Sequence, residues 1–341
     1  MSDQPVLAVA KLVADSITAQ SLAKMEELLA QLRGSNGAAQ QRWIQALELS
    51  GRQMCWQLAQ RRHIDSLADA EFKVFSQWGE DGIIEWLIQQ LPIAHETFIE
   101  FGVGSYFESN TRFLLTNRNW RGLILDSGEV LRQIPGEPYY WRHDLTCGVA
   151  FITPDNIDAL FAKHGFGGEI GLLSIDIDGN DAWVLERIAG VSPAILICEY
   201  NAMFGDLQPL SVPYDPAFSI EKAHPSMLYF GASIGAMRRI AEAKGYRFVG
   251  TCSNGVNAFF VRNDLAPHLD GRLSRVVAHP SLHRCCYDPN GGFATLSGLA
   301  RFDQIKDLPA VHLETGKIAP LASFGELFSA DWRRRIGHRP A

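Results

Sequence analysis

The sequence has no long hydrophobic run: nothing in its 341 residues approaches the ~20 consecutive apolar positions that a membrane-spanning helix needs. It has no excess of basic charge either. Lys and Arg number 31 against 38 Asp and Glu, a formal charge of −7. That balance argues against a nucleic-acid partner, whose footprint is basic. The one basic run, Arg333-Arg334-Arg335, reads as a solvated helix end. The six cysteines, Cys55, Cys147, Cys198, Cys252, Cys285 and Cys286, form no CxxC pair and no zinc spacing. They suit reduced thiols in a reducing compartment. The opening MSDQPVLAVAKLVADS lacks the basic start and apolar core of a signal peptide, so a cytoplasmic location is expected. No GxGxxG loop, Ser-His-Asp order or NPPY motif is visible. Dinucleotide binding, covalent-serine hydrolysis and DNA amino methylation therefore lack support.

What is there is ordinary globular composition, 47% hydrophobic and 20% charged. Residues 6–33 place Leu12, Ile17, Leu22, Met25, Leu28, Leu29 and Leu32 at helical spacing, stopped by Gly34-Ser35-Asn36-Gly37. A second helical stretch, 38–62, completes a hairpin that either packs on the core or joins copies of the chain as a homo-oligomer. From about 72 strands alternate with helices. Strands are expected at Thr97–Phe101, Gly122–Leu125, Ile170–Ile175, Ala194–Cys198, Arg247–Gly250 and Ala258–Val261, with a further one near Tyr139–Trp141. Helices are expected at Glu80–Gln90, Ser109–Thr116, Pro154–Lys163, Ala182–Ile188 and Ala232–Lys244. The alternation predicts a doubly wound, mostly parallel α/β sheet. The short Ser253-Asn254-Gly255 turn makes its last two strands an antiparallel hairpin. The expected division is 1–70, a helical extension; 71–264, the α/β domain; and 265–341, an irregular and helical extension.

In an open α/β sheet, ligands bind beyond the carboxyl ends of the strands. Acids gather there: Glu100 within the first strand, Asp126, Asp176 and Glu199 after later ones, and Asp144 after the Tyr139–Trp141 strand. In Glu100-Phe101-Gly102-Val103-Gly104 the glycines permit close approach of backbone to a ligand, or simply make a tight turn. The run Asp176-Ile177-Asp178-Gly179-Asn180-Asp181 has three readings. It is a turn with Asp181 as helix N-cap; a site for a hard divalent cation, which takes oxygen ligands; or the DxD of a metal-dependent nucleotide-sugar glycosyltransferase.

Residues 72–264 resemble the class I S-adenosylmethionine-dependent methyltransferases, and within them the FkbM-type group. The text that carries the resemblance is FIEFGVGSYFESNT, GLILDSGE, LLSIDIDGND and ICEYN. FSQWGEDG (75–82) and HPSMLYFGAS (224–233) resemble a bacterial subgroup associated with polysaccharide biosynthesis. The resemblance implies a seven-stranded class I fold and O-methylation of a small hydroxylated acceptor, a sugar or glycan precursor. It implies that Gly102 and Gly104 approach the methionine moiety of S-adenosylmethionine. Glu100 would sit by its amino group or an ordered water, Asp126 at the ribose hydroxyls and Asp144, after His143, at the adenine amino group. Asp126 is followed by Ser-Gly-Glu rather than Glu-Pro, which makes Glu129 a rival at the ribose.

Methylating a hydroxyl requires removal of its proton, by a base or with a metal. His224 is the candidate base and Asp176 a second catalytic candidate. Asp176, Asp178, Glu199 and Asn201 are the candidate ligands of Mg²⁺ or Mn²⁺. Tyr200, Asn201, Tyr214 and Asp215 are candidates for the acceptor pocket, and Trp78, Glu80 and Asp81 for a closing segment. Besides glycosyl transfer, the remaining alternative is a non-catalytic binding or assembly protein on the same fold.

Overall fold

The computed structural model describes residues 39–287 and 292–337. The chain divides into two compact units, Met1–Ser50 and Gly51–Ala341. Of the first, residues 39–50 are described and are helical; the expected helix at 6–33, and any oligomer contact through it, lie outside the described residues. The second unit opens on helix α1, residues 51–59.

The α/β core follows in the order α2 (Glu80–Gln90), β1 (Thr97–Phe101), α3 (Arg112–Arg118), β2 (Arg121–Asp126), β3 (Leu145–Val149), α4 (Ile157–Lys163), β4 (Gly168–Ile175), α5 (Asp181–Arg187) and β5 (Val191–Glu199). A short strand β6 (Leu210–Ser211) and helices α6 (Ile220–Ala223) and α7 (Ile234–Ala243) lead to the hairpin β7 (Tyr246–Thr251) and β8 (Asn257–Arg262). The sheet runs β3-β2-β1-β4-β5-β8-β7, parallel through β5 and antiparallel at β8 and β7. This is the expected mostly parallel seven-stranded sheet with its terminal hairpin.

The strands read as near-continuous apolar runs because helices cover both faces. Alternate residues feed two cores: Ile99, Phe101, Leu196 and Cys198 on one side, Phe98, Ile195 and Ile197 on the other. From β1 the chain steps outward to β2 and β3, then crosses back to β4 on the other flank. The switch in strand order, where such sheets open a crevice, therefore lies between the carboxyl ends of β1 and β4.

One expected strand is wrong. Tyr139–Trp141 is not extended: Tyr140–Arg142 form a single 3-10 turn, and the strand is Leu145–Val149. Aromatic residues favour strands only where a pleated, half-buried surface receives them. Here Trp141 is exposed, and Tyr139 instead stacks on the side chain of Arg112, 4.7 Å away.

Residues after 264 are more regular than expected. They form the hairpin β9 (His283–Tyr287) and β10 (Phe293–Ser297), helix α8 (Ala300–Ile305), strands β11 (Pro309–His312) and β12 (Ile318–Pro320), and helix α9 (Ala330–Gly337). Strand β11 pairs antiparallel with β6, and Leu321, Leu327, Phe328 and Trp332 join the same core as β4 and β5.

Candidate functional site

A cavity of about 300 Å³ opens at the switch point. Its lining comes from the loops after four adjacent strands: Gly102 and Gly104 after β1, Asp126 and Ser127 at β2, Ala150, Phe151 and Ile152 after β3, and Asp176, Ile177, Asp178 and Asn180 after β4. Phe218, from the long excursion after β5, closes it. Three carboxylates line this space, and among the described residues no lysine, arginine or histidine does.

The glycines have different reasons to be there. Gly102 has φ +82°, and a Cβ on it would lie 1.3 Å from the Asp176 carbonyl oxygen. The β1 and β4 loops touch through this residue, so no side chain fits. Gly104 has φ +52° with open space beside it. Its N–H donates to Asp126 Oδ2 at 2.8 Å, while Gly128 N–H donates to Oδ1 at 2.6 Å. Each oxygen of Asp126 thus keeps a lone pair for a further donor.

Glu100 does not line the cavity. Its carboxylate accepts from Ser109 Oγ (2.5 Å), Asn110 N (2.8 Å), Thr111 N (3.1 Å) and Thr111 Oγ1 (2.5 Å). Burial pushes its pKa upward, and these four donors pull the other way. Its carboxylate is engaged by donors that ESNT supplies from within the same loop rather than turned into the cavity.

Asp144 is displaced for a different reason. It precedes β3 rather than following a strand, and its carbonyl accepts from Gly122 N at the amino end of β2. The five residues of β3, about 16 Å of extended chain, separate it from the cavity edge. His143 is placed likewise, Nδ1 against Asn119 Oδ1. The adenine role expected of Asp144 is therefore corrected. Phe151 and Ile152, just past the true end of β3, line the cavity instead. Glu129 lies in an exposed pair with Arg132.

The β4 loop is organised by Asp181. Its carboxylate accepts from Ile177 N (2.8 Å) and Gly179 N (2.9 Å), and burial pushes it up to about 6. It closes the preceding turn instead of capping α5, whose N-cap is Asn180. That turn holds Asp178 at φ +52°, a conformation non-glycine residues rarely adopt. Asp176, Asp178 and Glu199 converge, with one carboxylate oxygen of each within 4.8 Å of the others. Asn180 stands beside them in the cavity lining, 4% exposed. Its Nδ2 donates to the Asp215 carbonyl (2.8 Å), which fixes the amide, and its Oδ1 has no hydrogen-bond partner among the described residues.

Asn201, the fourth expected ligand, is otherwise engaged. Its Nδ2 donates to Leu228 O and Phe230 O and its Oδ1 accepts from Met203 N, so the side chain clasps the post-β5 loop. His224 is half-buried with Nδ1 2.7 Å from Ser226 Oγ; burial lowers its pKa, and it is not part of the cavity lining. Tyr200 is buried and its hydroxyl donates to the His279 carbonyl. Tyr214 packs edge-on against Trp183, and Asp215 contributes through its backbone.

Reading the sequence missed Asn180, Phe151, Ile152 and Phe218. Asn180 was visible within DIDGND, but its value rests on an amide oxygen left without a donor, which only packing reveals. Phe151 and Ile152 followed a strand that had been placed too early.

No protein-family model matches the chain, and no curated protein does. Solved structures show distant likeness. The N-terminal domain of EvdMO1 with SAH bound is 15% identical over 55% of this chain and 80% of that one, with a TM-score of 0.37. The citrinin polyketide synthase CMeT domain is 13% identical over 54% and 51%, at 0.35. Human N-acetylserotonin methyltransferase in complex with SAM is 12% identical over 54% and 55%, at 0.30. In the last two the match spans about half of the other chain. At this distance the chemistry rests on the residues of the chain itself.

Proposed function

We propose that the chain is an S-adenosylmethionine-dependent O-methyltransferase acting on a hydroxyl of a sugar or glycan precursor, with a divalent cation, Mg²⁺ or Mn²⁺, at the acceptor side. The observation that carries this reading is one cavity joining two kinds of lining at the switch point. One part pairs a backbone cradle at Gly102 and Gly104 with Asp126; the other presents Asp176, Asp178 and Asn180, and Glu199 converges on the two aspartates from the end of β5.

The residues fit the cofactor. Gly102 admits nothing larger than hydrogen, Asp126 has acceptor capacity left for a diol, and Phe151 and Ile152 offer an apolar seat for a flat base. An acidic lining without a basic residue among the described residues suits a ligand carrying positive charge. The bound cofactor supplies an electrophilic methyl on a sulfonium.

The acid group fits a hard cation, which takes carboxylate and amide oxygens. Asp176, Asp178 and Glu199 would hold it, with Asn180 Oδ1 a further oxygen beside them. The cation would supply charge that favours a deprotonated hydroxyl. The chain's own work is orientation: the β1 and β4 loops meet at Gly102, so methyl donor and acceptor are set side by side. Asp176, at the acid group, would accept the acceptor's hydroxyl proton while the bound cofactor supplied the methyl group.

Calorimetric titration of S-adenosylmethionine tests this. The intact protein is expected to bind it, Asp126→Ala to lose at least tenfold in affinity, and EDTA to leave binding unchanged. Absence of binding to the intact protein would end this reading.

A further inference from the structure

Residues 73–81 form a strap that is tied closed on itself and fastened at both ends. Asp81 Oδ2 accepts from Val74, Phe75 and Ser76 N–H and from Ser76 Oγ, all at 2.7–2.8 Å, and Lys73 Nζ donates to the Gln77 carbonyl at 2.7 Å. Gly79 lies so close to Glu71 that a Cβ would stand 2.5 Å from the Glu71 side chain. On one side Glu71 accepts from Ser253 in the β7–β8 turn. On the other, Ser109 N–H of the β1 loop donates to the Phe75 carbonyl at 2.9 Å. The strap thus bridges the β1 loop and the β7–β8 turn, across the ends of β4 and β5 that lie between them in the sheet.

At its crown stands Trp78, 45% exposed. Its backbone N–H donates to Glu80 Oε2 at 2.8 Å, and its indole N–H to the neighbouring Gln77 at 3.1 Å. The other oxygen of Glu80 accepts from Asn257 Nδ2 at 2.9 Å, and both residues are buried. Asn257 is directly opposite Glu199 in the β5–β8 register. Opposed residues of an antiparallel pair point to the same face, with Cβ atoms about 5 Å apart. Trp78 is therefore two hydrogen bonds from the immediate neighbour of Glu199. A large apolar ring is thus presented to water from a backbone that these bonds hold in place.

We propose that Trp78 is the platform on which the acceptor stacks, and that the acceptor is an uncharged carbohydrate ring. The C–H face of a sugar covers apolar surface on the indole, while its hydroxyls meet Glu199 and its companions. This rests on the methyltransferase reading and names a specificity-determining residue for it. The Glu80–Asn257 pair fixes the height of the platform over Glu199.

The test is saturation-transfer NMR on full-length protein loaded with S-adenosylhomocysteine, using a mixture of methyl glycosides of common hexoses and deoxyhexoses as probe. Transfer to ring C–H protons is expected with the native protein. It should fall at least fivefold in Trp78→Ala and be largely kept in Trp78→Phe, with S-adenosylhomocysteine affinity within twofold throughout, which also reports folding. Equal transfer in Trp78→Ala would overturn the platform. So would native protein that binds S-adenosylhomocysteine yet shows no transfer to any glycoside. Failure of the native protein to bind S-adenosylhomocysteine would overturn this proposal together with the reading beneath it.

Discussion

The loops after β1 and β4 solve one problem in two ways. Each must hold a turn rigid at the cavity edge, and each does so with a buried carboxylate that gathers backbone N–H groups. After β1 that carboxylate is Glu100, an acid of the strand itself, turned inward to Ser109, Asn110 and Thr111. After β4 it is Asp181, beyond the turn, and the strand-end acid Asp176 faces the cavity with Asp178. An acid at the end of an apolar run is therefore not a site residue by position. Its role depends on whether the following loop brings donors to it.

The sharpest way to break this comparison is at the point where the loops touch. Gly102→Ala places a methyl group on the Asp176 carbonyl oxygen at positive φ, and we expect a loss of more than ~4 kcal/mol in chemical denaturation. Next in size is the contrast of the acids. Glu100→Gln should cost about 2–4 kcal/mol, since an amide meets several donors with one acceptor oxygen. Asp176→Asn should leave thermal stability nearly unchanged while abolishing any rise in Tm produced by Mg²⁺. Equal destabilisation by the two would show that both acids are structural.

Asp81 of the strap and Asp181 of the β4 loop are both pushed up to about 6, so substitution is needed to tell them apart in an acid titration. Asp81 is buried, and desolvation pushes its carboxyl from 3.8 up to about 6. Between those values the folded protein keeps a proton that the unfolded chain has released. Its contribution is thus present below pH ~4 and lost as pH rises through ~6, by up to about 3 kcal/mol. Asp81→Asn should flatten that part of the stability–pH curve in urea titrations, and an unaltered slope would exclude Asp81 as its source. Gly104→Ala is expected to cost only ~1–2 kcal/mol, the price of positive φ without a clash. Smallest of all is Asp144→Ala. Its ion pair with Arg121, at 3.7 Å, is exposed, so stability should change by less than ~1 kcal/mol and cofactor affinity not at all.

Much of this was legible because the sheet is buried on both faces. Strand β1 and helix α2 match their expected bounds, and the remaining strands of the α/β sheet extend past theirs by one to three residues, except β3. Strand β3 escaped because LTCGV is short and weakly apolar, while three aromatics nearby imitated a strand. That single shift moved Asp144 to the wrong edge and hid Phe151 and Ile152. The convergence of Asp176, Asp178 and Glu199 could be read from two strand ends. The loss of Asn201 to the post-β5 loop could not, since its partners Leu228 and Phe230 lie some thirty residues away in sequence.

The pairing of β11 with β6 has a consequence for biosynthesis. Val311 and His312 complete a sheet begun by Leu210 and Ser211, and the Tyr229 hydroxyl, whose ring packs near Phe218, donates to the Pro309 carbonyl. At ribosomal speeds of about 5–20 residues per second, a nascent chain waits roughly 5–20 s between making β6 and making its partner. The strands and loops that line the Gly102–Asp126 side are all synthesised before that interval ends. The wall carrying Phe218 acquires its support last, so a chain released early would have the first half of its cavity and an unbraced second half.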